Sequence, residues 1–199
     1  MSILIACKKG DVVYMGTDTR TIKGGTKSNE LCESNYKIQK MPNKMLVGIA
    51  TDKKVRQVLF ASPEIFTLDA NEQLTHKHIV TSIIPKIQQT LRKYDLLIED
   101  EGKVPIMPGE ILLAYQDRLY EICWQFSVYY SQDALAVSSC PIADYAQYTL
   151  FNAKNDEHPN QTITNALDVV ARHSYLVGRP YVLIDTKDQK YTLVGGANI

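Results

Sequence analysis

Ser2, Asp18 and Arg20 are the residues of this chain whose types and spacing could do chemistry. The sequence opens MSILIACKKGDVVYMGTDTR, so Ser2 follows a single Met and runs directly into a strand-like segment. A Met that precedes a small residue is a substrate for aminopeptidase, and its removal leaves Ser2 with a free α-amine beside its own hydroxyl. Such an amine has an ordinary pKa of about 7.7–8.0, and a hydroxyl nucleophile needs a base of that kind. The opening residues therefore predict that Ser2 supplies both nucleophile and base.

The segments that must position these residues alternate between strand and helix patterns. Four strands are predicted first, in the segments SILIACK, DVVYMGT, NYKIQKM and KMLVGIA. The first two form a hairpin through the turn at residues 9–11, and TIKGGTKSNELCES is predicted to be a polar loop. A helix follows in TDKKVRQVLFA, capped by Thr51 or Asp52, and a longer one in THKHIVTSIIPKIQQTLRKYDLL, where Pro85 causes a kink or lies in an early turn.

The second half repeats this order. Strands are predicted in EILLAYQ, LYEICWQF and ALAVS, and helices in IADYAQYTLFNA and TITNALDVVARHS, the latter capped by Thr162. The chain closes with a hairpin between PYVLID and KYTLVG. Runs of strands that alternate with pairs of helices favour sheets with helices packed outside them.

The size and charge of the chain limit the classes of protein to which it could belong. A chain of 199 residues suits one domain, residues 1–199, and its formal net charge of zero gives no sign of a nucleic-acid or membrane-surface partner. No apolar run is long enough to span a bilayer and no signal peptide is evident, so the expected location is cytoplasmic. Since neither zinc spacing nor a phosphate-binding glycine loop is present, neither a metal nor a nucleotide cofactor is expected.

The whole chain, from Ser2 to about Val194, resembles the proteasome β-subunit and HslV family of N-terminal nucleophile (Ntn) hydrolases. The most specific part is the opening hairpin followed by Asp-x-Arg, because Asp18 and Arg20 stand at the family's distance from Ser2 without a gap. The resemblance implies an α+β fold, a four-layer αββα sandwich. It also implies a threonine- or serine-type endopeptidase that works in a homo-oligomeric ring.

The same resemblance assigns roles to further residues. It implies that Lys37 tunes the Ser2 hydroxyl by its charge, that Asp18 orients Lys37, and that Arg20 supports them. In LVGIATD, the backbone N–H of Gly48 is the first choice for the oxyanion hole, with Ala50 as its rival. In AVSSC, Ser139 takes the place of the family serine that supports the amine, although both of its usual glycine neighbours are replaced, by Ser138 and Cys140.

One departure from the family pattern concerns HSYLVGRPYVLID. An Asp and a Ser that many proteasome subunits carry there are replaced by Ser174 and Val177, while Gly178 keeps the turn. Three functions therefore stay open. The first is a peptidase that cleaves peptides or unfolded proteins delivered by an ATP-driven unfoldase on another chain. The second is a catalytically inactive structural subunit, and the third is an Ntn amidase or acylase that acts on small substrates.

Overall fold

The computed structural model describes residues 2–68, 73–138, 142–154 and 156–195 of the chain, apart from the side chain of Lys23. Its strands, in chain order, are β1 (Ile3–Lys9), β2 (Val12–Asp18), β3 (Arg20–Lys23), β4 (Thr26–Asn29), β5 (Ile38–Lys40), β6 (Leu46–Thr51), β7 (Gly109–Tyr115), β8 (Arg118–Ile122), β9 (Val128–Ser131), β10 (Ala134–Ser138), β11 (Tyr181–Asp185) and β12 (Thr192–Val194). Its α-helices are α1 (Lys53–Phe60), α2 (His76–His78), α3 (Ile84–Lys93), α4 (Ala143–Phe151) and α5 (Pro159–His173).

Two five-stranded antiparallel sheets lie face to face at the centre. The first has the order β10-β1-β2-β11-β12 and the second has the order β5-β6-β7-β8-β9, while β3 and β4 form a separate hairpin. The opening hairpin is in the middle of the first sheet, with Ile3 opposite Ser138 on β10 and Leu4 opposite Thr17 on β2. The start of β1 is thereby fixed from both sides.

Helices cover the outer face of each sheet, so the architecture has four layers. Ile163, Leu167 and Val170 of α5 pack with the outward side chains of the first sheet, and α4 lies beside them. Helices α1 and α3, with Ile79 and Ile83 before α3, pack on the second sheet. This is the α+β, four-layer αββα sandwich that the sequence predicts.

The apolar layer between the sheets explains why β6 reads as a continuous apolar run. Leu46 and Ala50 face the first sheet, whereas Val47 and Ile49 face α1 and α3. A strand that is covered on both faces gains from apolar side chains at every position, because each large aliphatic side chain buried is worth about 1.5–3 kcal/mol.

Two sequence predictions of local structure are wrong. The segment predicted as a polar loop contains the β3–β4 hairpin, because Gly24 and Gly25 both adopt positive φ, as a two-residue hairpin turn requires. Helix α5 begins at Pro159 and is capped by the ring of His158, so Thr162 lies inside it. Pro85 lies in the first turn of α3, which is one of the two positions predicted for it, and the π-helical segment Ile79–Ile83 precedes that helix.

Other predictions are confirmed. The β1–β2 and β11–β12 hairpins form as expected, and the Asp52 side chain caps α1 by accepting a hydrogen bond from the Lys54 N–H at 2.7 Å. No helix in the described ranges is both long enough and apolar enough to cross a membrane.

Candidate active site

Ser2 lies at the start of β1, at one end of the sandwich, and only 1% of its surface is exposed. Its carbonyl oxygen accepts a hydrogen bond from Ser138 Oγ at 2.8 Å, and its own Oγ lies 3.5 Å from Arg56 Nη1. The next residue is tied to β2, since Thr17 Oγ1 donates to the Ile3 carbonyl at 2.7 Å. The backbone on which Ser2 stands is therefore held on both sides.

Asp18 and Lys37 form a buried ion pair. The two residues are 1% and 2% exposed, and Lys37 Nζ lies 2.7 Å from Asp18 Oδ1. Asp18 ends β2 and Lys37 directly precedes β5, so the pair joins the two sheets. Burial lowers the pKa of Lys37, and the neighbouring Asp18 carboxylate opposes that shift. The predicted contact between Asp18 and Lys37 is present.

Arg20 forms hydrogen bonds with the site through its backbone, and its side chain binds carbonyl groups of a neighbouring loop. Its N–H donates to Asp18 Oδ2 at 3.1 Å, and its carbonyl accepts from Lys37 Nζ at 3.1 Å. The guanidinium donates to the carbonyl oxygens of Tyr175 and Val177 at 2.9 and 2.8 Å. A Cβ at Gly178 would overlap this guanidinium, so a larger residue there would displace the Arg20 side chain.

A second charged cluster reaches Ser2 from α1 and from the loop after β4. Arg56 Nη2 lies 3.3 Å from Glu30 Oε2, and Lys53 binds the other carboxylate oxygen of Glu30. Arg56 is 5% exposed, whereas the Lys53 side chain is 47% exposed. Burial lowers the pKa of Arg56, and the charge of Glu30 opposes that shift. A guanidinium nevertheless stays protonated in proteins, so the cluster keeps a fixed positive charge beside the serine hydroxyl.

Ser2 opens onto a small polar cavity of about 120 Å³. The cavity is lined by Ser2, Arg20, Thr21, Ile22, Lys37, Thr51, Asp52, Lys53, Arg56 and Leu176. A second cavity of about 410 Å³ shares Lys53 and Arg56 with it and adds apolar surface from Tyr36, Met41 and Phe60. The nucleophile candidate thus stands beside a space that could receive a substrate side chain.

Asp18, Gly48 and the rival Ala50 are not among the residues that line the cavity around Ser2, although Asp18 binds Lys37, which does. Gly48 lies inside β6, where an added Cβ would come within 3.0 Å of Leu4 and Met15 between the sheets. Ile49 N–H donates to the carbonyl of Lys37, just before β5, so strand alternation directs the Gly48 N–H toward β7. Its rival Ala50 is buried in the layer between the sheets. The oxyanion role of either residue remains a prediction.

Ser139 lies outside the described residues, so its predicted role stays a prediction as well. Its neighbour Ser138 is described, and it binds the Ser2 carbonyl through its hydroxyl while its N–H donates to Glu110 Oε2 at 3.1 Å. The end of β10 thus supports Ser2 through Ser138, which the resemblance includes only as the replacement of a glycine.

The sequence did not single out Arg56, Glu30, Lys53 or Ser138. Lys53 and Arg56 are spaced by three in the predicted helix that follows Asp52, so a shared helix face was the available signal. For Glu30, which lies in the segment predicted to be a loop, no such signal exists. Among the described residues, no group of three or more His, Cys, Asp or Glu could hold a metal ion.

Comparisons with known proteins identify the class of fold to which this site belongs. No family model matches the chain, and no curated protein matches it by sequence. Solved structures do match, and they include HslV and Anbu, an ancestral β-subunit. The chain therefore has the proteasome-like Ntn hydrolase fold, as the resemblance implies.

Three of these structures show how far the likeness extends. Thiobacillus denitrificans BPH aligns with a TM-score of 0.74 and 16% identity, over 98% of this chain and 100% of that chain. Anbu from Yersinia bercovieri aligns with a TM-score of 0.69 and 13% identity, over 96% of this chain and 86% of that chain. Eukaryotic HslV from Trypanosoma brucei aligns with a TM-score of 0.61 and 12% identity, over 92% of this chain and 98% of that chain.

Proposed function

We propose that the chain is an Ntn peptidase that uses Ser2, once Met1 is removed, to cleave peptide bonds. The observation that carries this proposal is the convergence of Ser2 and Lys37 on one cavity, with Lys37 bound to the buried carboxylate of Asp18. The fold supports the proposal, because one of its structural neighbours, Thiobacillus denitrificans BPH, was solved in complex with epoxomicin.

The proposed reaction is acyl transfer in two stages. Ser2 Oγ forms a bond to the scissile carbonyl carbon while the carbonyl π electrons move onto its oxygen, and the α-amine of Ser2 takes the hydroxyl proton. The tetrahedral intermediate then collapses, the C–N bond breaks, and the proton passes to the departing amine. Water hydrolyses the resulting ester by the same route and restores the Ser2 hydroxyl.

Lys37 supports this chemistry as a cation rather than as a base. Its ammonium favours negative charge on the Ser2 hydroxyl oxygen, and Asp18 orients it and offsets the cost of its burial. The oxyanion needs a backbone N–H, for which Gly48 is the residue predicted from sequence. The segment from Thr51 to Lys53 is the alternative that we propose, because those residues line the cavity and the first N–H groups of a helix have no intrahelical acceptor.

The proposed substrate is a peptide or an unfolded protein. The cavity of about 410 Å³ beside the site can take a substrate side chain, because Lys53 and Arg56 belong to both cavities. We further propose that the chain acts in the cytoplasm in a homo-oligomeric ring, with substrates delivered by an ATP-dependent unfoldase on another chain.

A non-catalytic subunit is the second candidate. The observation that favours it is the replacement of the family Asp and Ser by Ser174 and Val177, in a loop whose Tyr175 and Val177 carbonyls bind Arg20. An amidase or acylase for small substrates, the third candidate, would not need a ring, so the native mass separates it from the other two.

The experiment that tests the proposal measures the intact mass of the protein from its native host before and after treatment with epoxomicin. We expect Met1 to be absent, one adduct to form on Ser2, and Ser2→Ala to form none. Ser82→Ala, on the remote π-helical segment, is the matched control and should react like the wild type. A chain that retains Met1 and forms no adduct would overturn the peptidase and leave the non-catalytic subunit.

A further inference from the structure

Arg56 carries a buried charge to which the proposed reaction assigns no role. It lies on α1, the helix that starts at the edge of the cavity, and only 5% of its surface is exposed. Its two terminal nitrogens contact different partners: Nη1 lies 3.5 Å from Ser2 Oγ, and Nη2 lies 3.3 Å from Glu30 Oε2. One end of the guanidinium is thus anchored on a carboxylate, and the other end faces the nucleophile.

The contact with Glu30 holds the Arg56 guanidinium in place. A buried ion is costly unless it is paired, and Glu30 is itself buried and neutralised further by Lys53. The guanidinium plane is rigid, so fixing Nη2 on Glu30 also fixes the direction of Nη1. Ser2 Oγ therefore meets a charge whose position does not depend on the mobility of a long side chain.

We infer that Arg56 is a further catalytic residue of the site, which contacts the Ser2 hydroxyl oxygen and stabilises the negative charge that gathers on it during attack. The inference rests on the proposed function, because it assigns Arg56 to the reaction of Ser2. Arg56 cannot accept a proton at working pH, so its contribution is electrostatic and the α-amine remains the base.

A serine in this position gains more from such a contact than a threonine would. Serine has three staggered positions for its hydroxyl, whereas the extra methyl group of threonine restricts that torsion. Arg56 supplies a contact that selects one hydroxyl position at Ser2. The bond is long at 3.5 Å in the resting site, and we expect it to tighten as the oxygen becomes negative.

Arg56 also affects the titration of its neighbours. The charged groups around the cavity are Asp18, Arg20, Glu30, Lys37, Asp52, Lys53 and Arg56. The charge of Arg56 contributes to lowering the pKa of Lys37, although burial is the larger cause. A cation this close to Ser2 should also lower the pKa of the α-amine on the same residue, which keeps that amine neutral at lower pH.

The test measures the rate of epoxomicin adduct formation on Ser2 as a function of pH, in the full chain without Met1. We expect Arg56→Gln to slow labelling by about 10- to 100-fold. We also expect the acid limb of its pH profile to move to higher pH, since the α-amine loses a neighbouring cation. Arg56→Lys keeps the charge and should retain the wild-type limb with a smaller loss of rate. Lys54→Gln removes an exposed cation two residues away and is the matched control.

The outcomes separate this inference from the proposed function. A wild type that forms no adduct overturns both, whereas a wild type that labels and an Arg56→Gln variant with the same rate and the same limb overturn the inference alone. A merely structural role would reduce the labelled fraction without moving the limb. If Arg56→Gln fails to fold, Glu30→Gln tests the same contact, because it releases the anchor of Arg56 while leaving the charge; unchanged labelling by that variant also overturns the inference.

Discussion

Carboxylates lie in two contrasting regions of the molecule: those beside Ser2 are buried and bound to cations, and those on β7 and β8 are half-buried. Beside Ser2, Asp18 binds Lys37, and Glu30 binds both Arg56 and Lys53. On β7 and β8, Glu110 and Glu121 have no ion pair within the part of the chain that the structure describes, and Glu110 accepts one backbone N–H, from Ser138.

The two regions differ in whether a neighbouring cation compensates the carboxylate charge. Burial raises the pKa of Glu110, and it raises that of Glu121 to about 7, with the charge of Glu110 as a further cause. Beside Ser2 the carboxylates bind cations, and there burial lowers the pKa of the Lys37 cation. The carboxylates of the proposed active site are thus paired with cations, whereas Glu121 can take up a proton near neutral pH.

The largest effect is expected from breaking the Asp18–Lys37 pair. Asp18→Asn and Lys37→Met each leave one buried charge without its partner, which should cost about 3–5 kcal/mol in free energy of unfolding. The double variant leaves no unpaired charge and should lose much less than the sum. Urea unfolding of the four proteins measures this coupling. Free energies that simply add would show that the pair is not compensated in the way its geometry indicates.

A smaller effect is expected at the second cluster, where the two cations differ in exposure. Glu30→Gln leaves the buried Arg56 without a carboxylate and should cost about 1–3 kcal/mol. Lys53→Ala removes a half-exposed partner and should cost at most about 1 kcal/mol, a cost that falls as salt is added. Thermal unfolding at low and high salt compares them. An equal cost for both variants would mean that Glu30 does not serve chiefly to hold Arg56.

These two clusters also differ in how well the sequence predicts them. Asp18 and Arg20 lie on regular strands, so their distance along the chain from Ser2 specifies their place in the sheets, and Lys37 is placed by the strand pattern that it directly precedes. A strand pattern and a family spacing are sufficient to predict that kind of contact, and the Asp18–Lys37 pair is present.

The second cluster could not be predicted, because it depends on how separate elements pack. Glu30 follows a hairpin that was predicted to be a loop, and Arg56 occupies a buried position that helical periodicity assigns to the flank of an apolar face. Gly48 shows the same limit, since its lack of a side chain is explained by close packing of the two sheets. Sequence spacing does not reveal which side chains meet when two layers come together.

In the Glu110–Glu121 region, Glu121→Gln should change how the free energy of unfolding depends on pH. The folded pKa of Glu121 is about 7, above its ordinary value of about 4.3, so between these values the folded protein holds a proton that the unfolded chain releases. Unfolding then releases a proton, and rising pH lowers the stability of the wild type. Between pH 4 and pH 8, the melting temperature of Glu121→Gln should fall less with rising pH than that of the wild type. A parallel decline in both proteins would assign the pH dependence to another group.

The smallest effect is expected at Glu110, which acts on its neighbour through charge alone. Glu110→Gln keeps an amide oxygen that can accept the Ser138 N–H, but it removes the negative charge that raises the pKa of Glu121. The pKa of Glu121 should therefore fall only part of the way toward its ordinary value, because burial is the larger cause. Titration of the Glu121 carboxyl carbon by NMR measures the shift. An unchanged pKa would mean that the two carboxylates do not interact, and a complete return to the ordinary value would mean that burial contributes little.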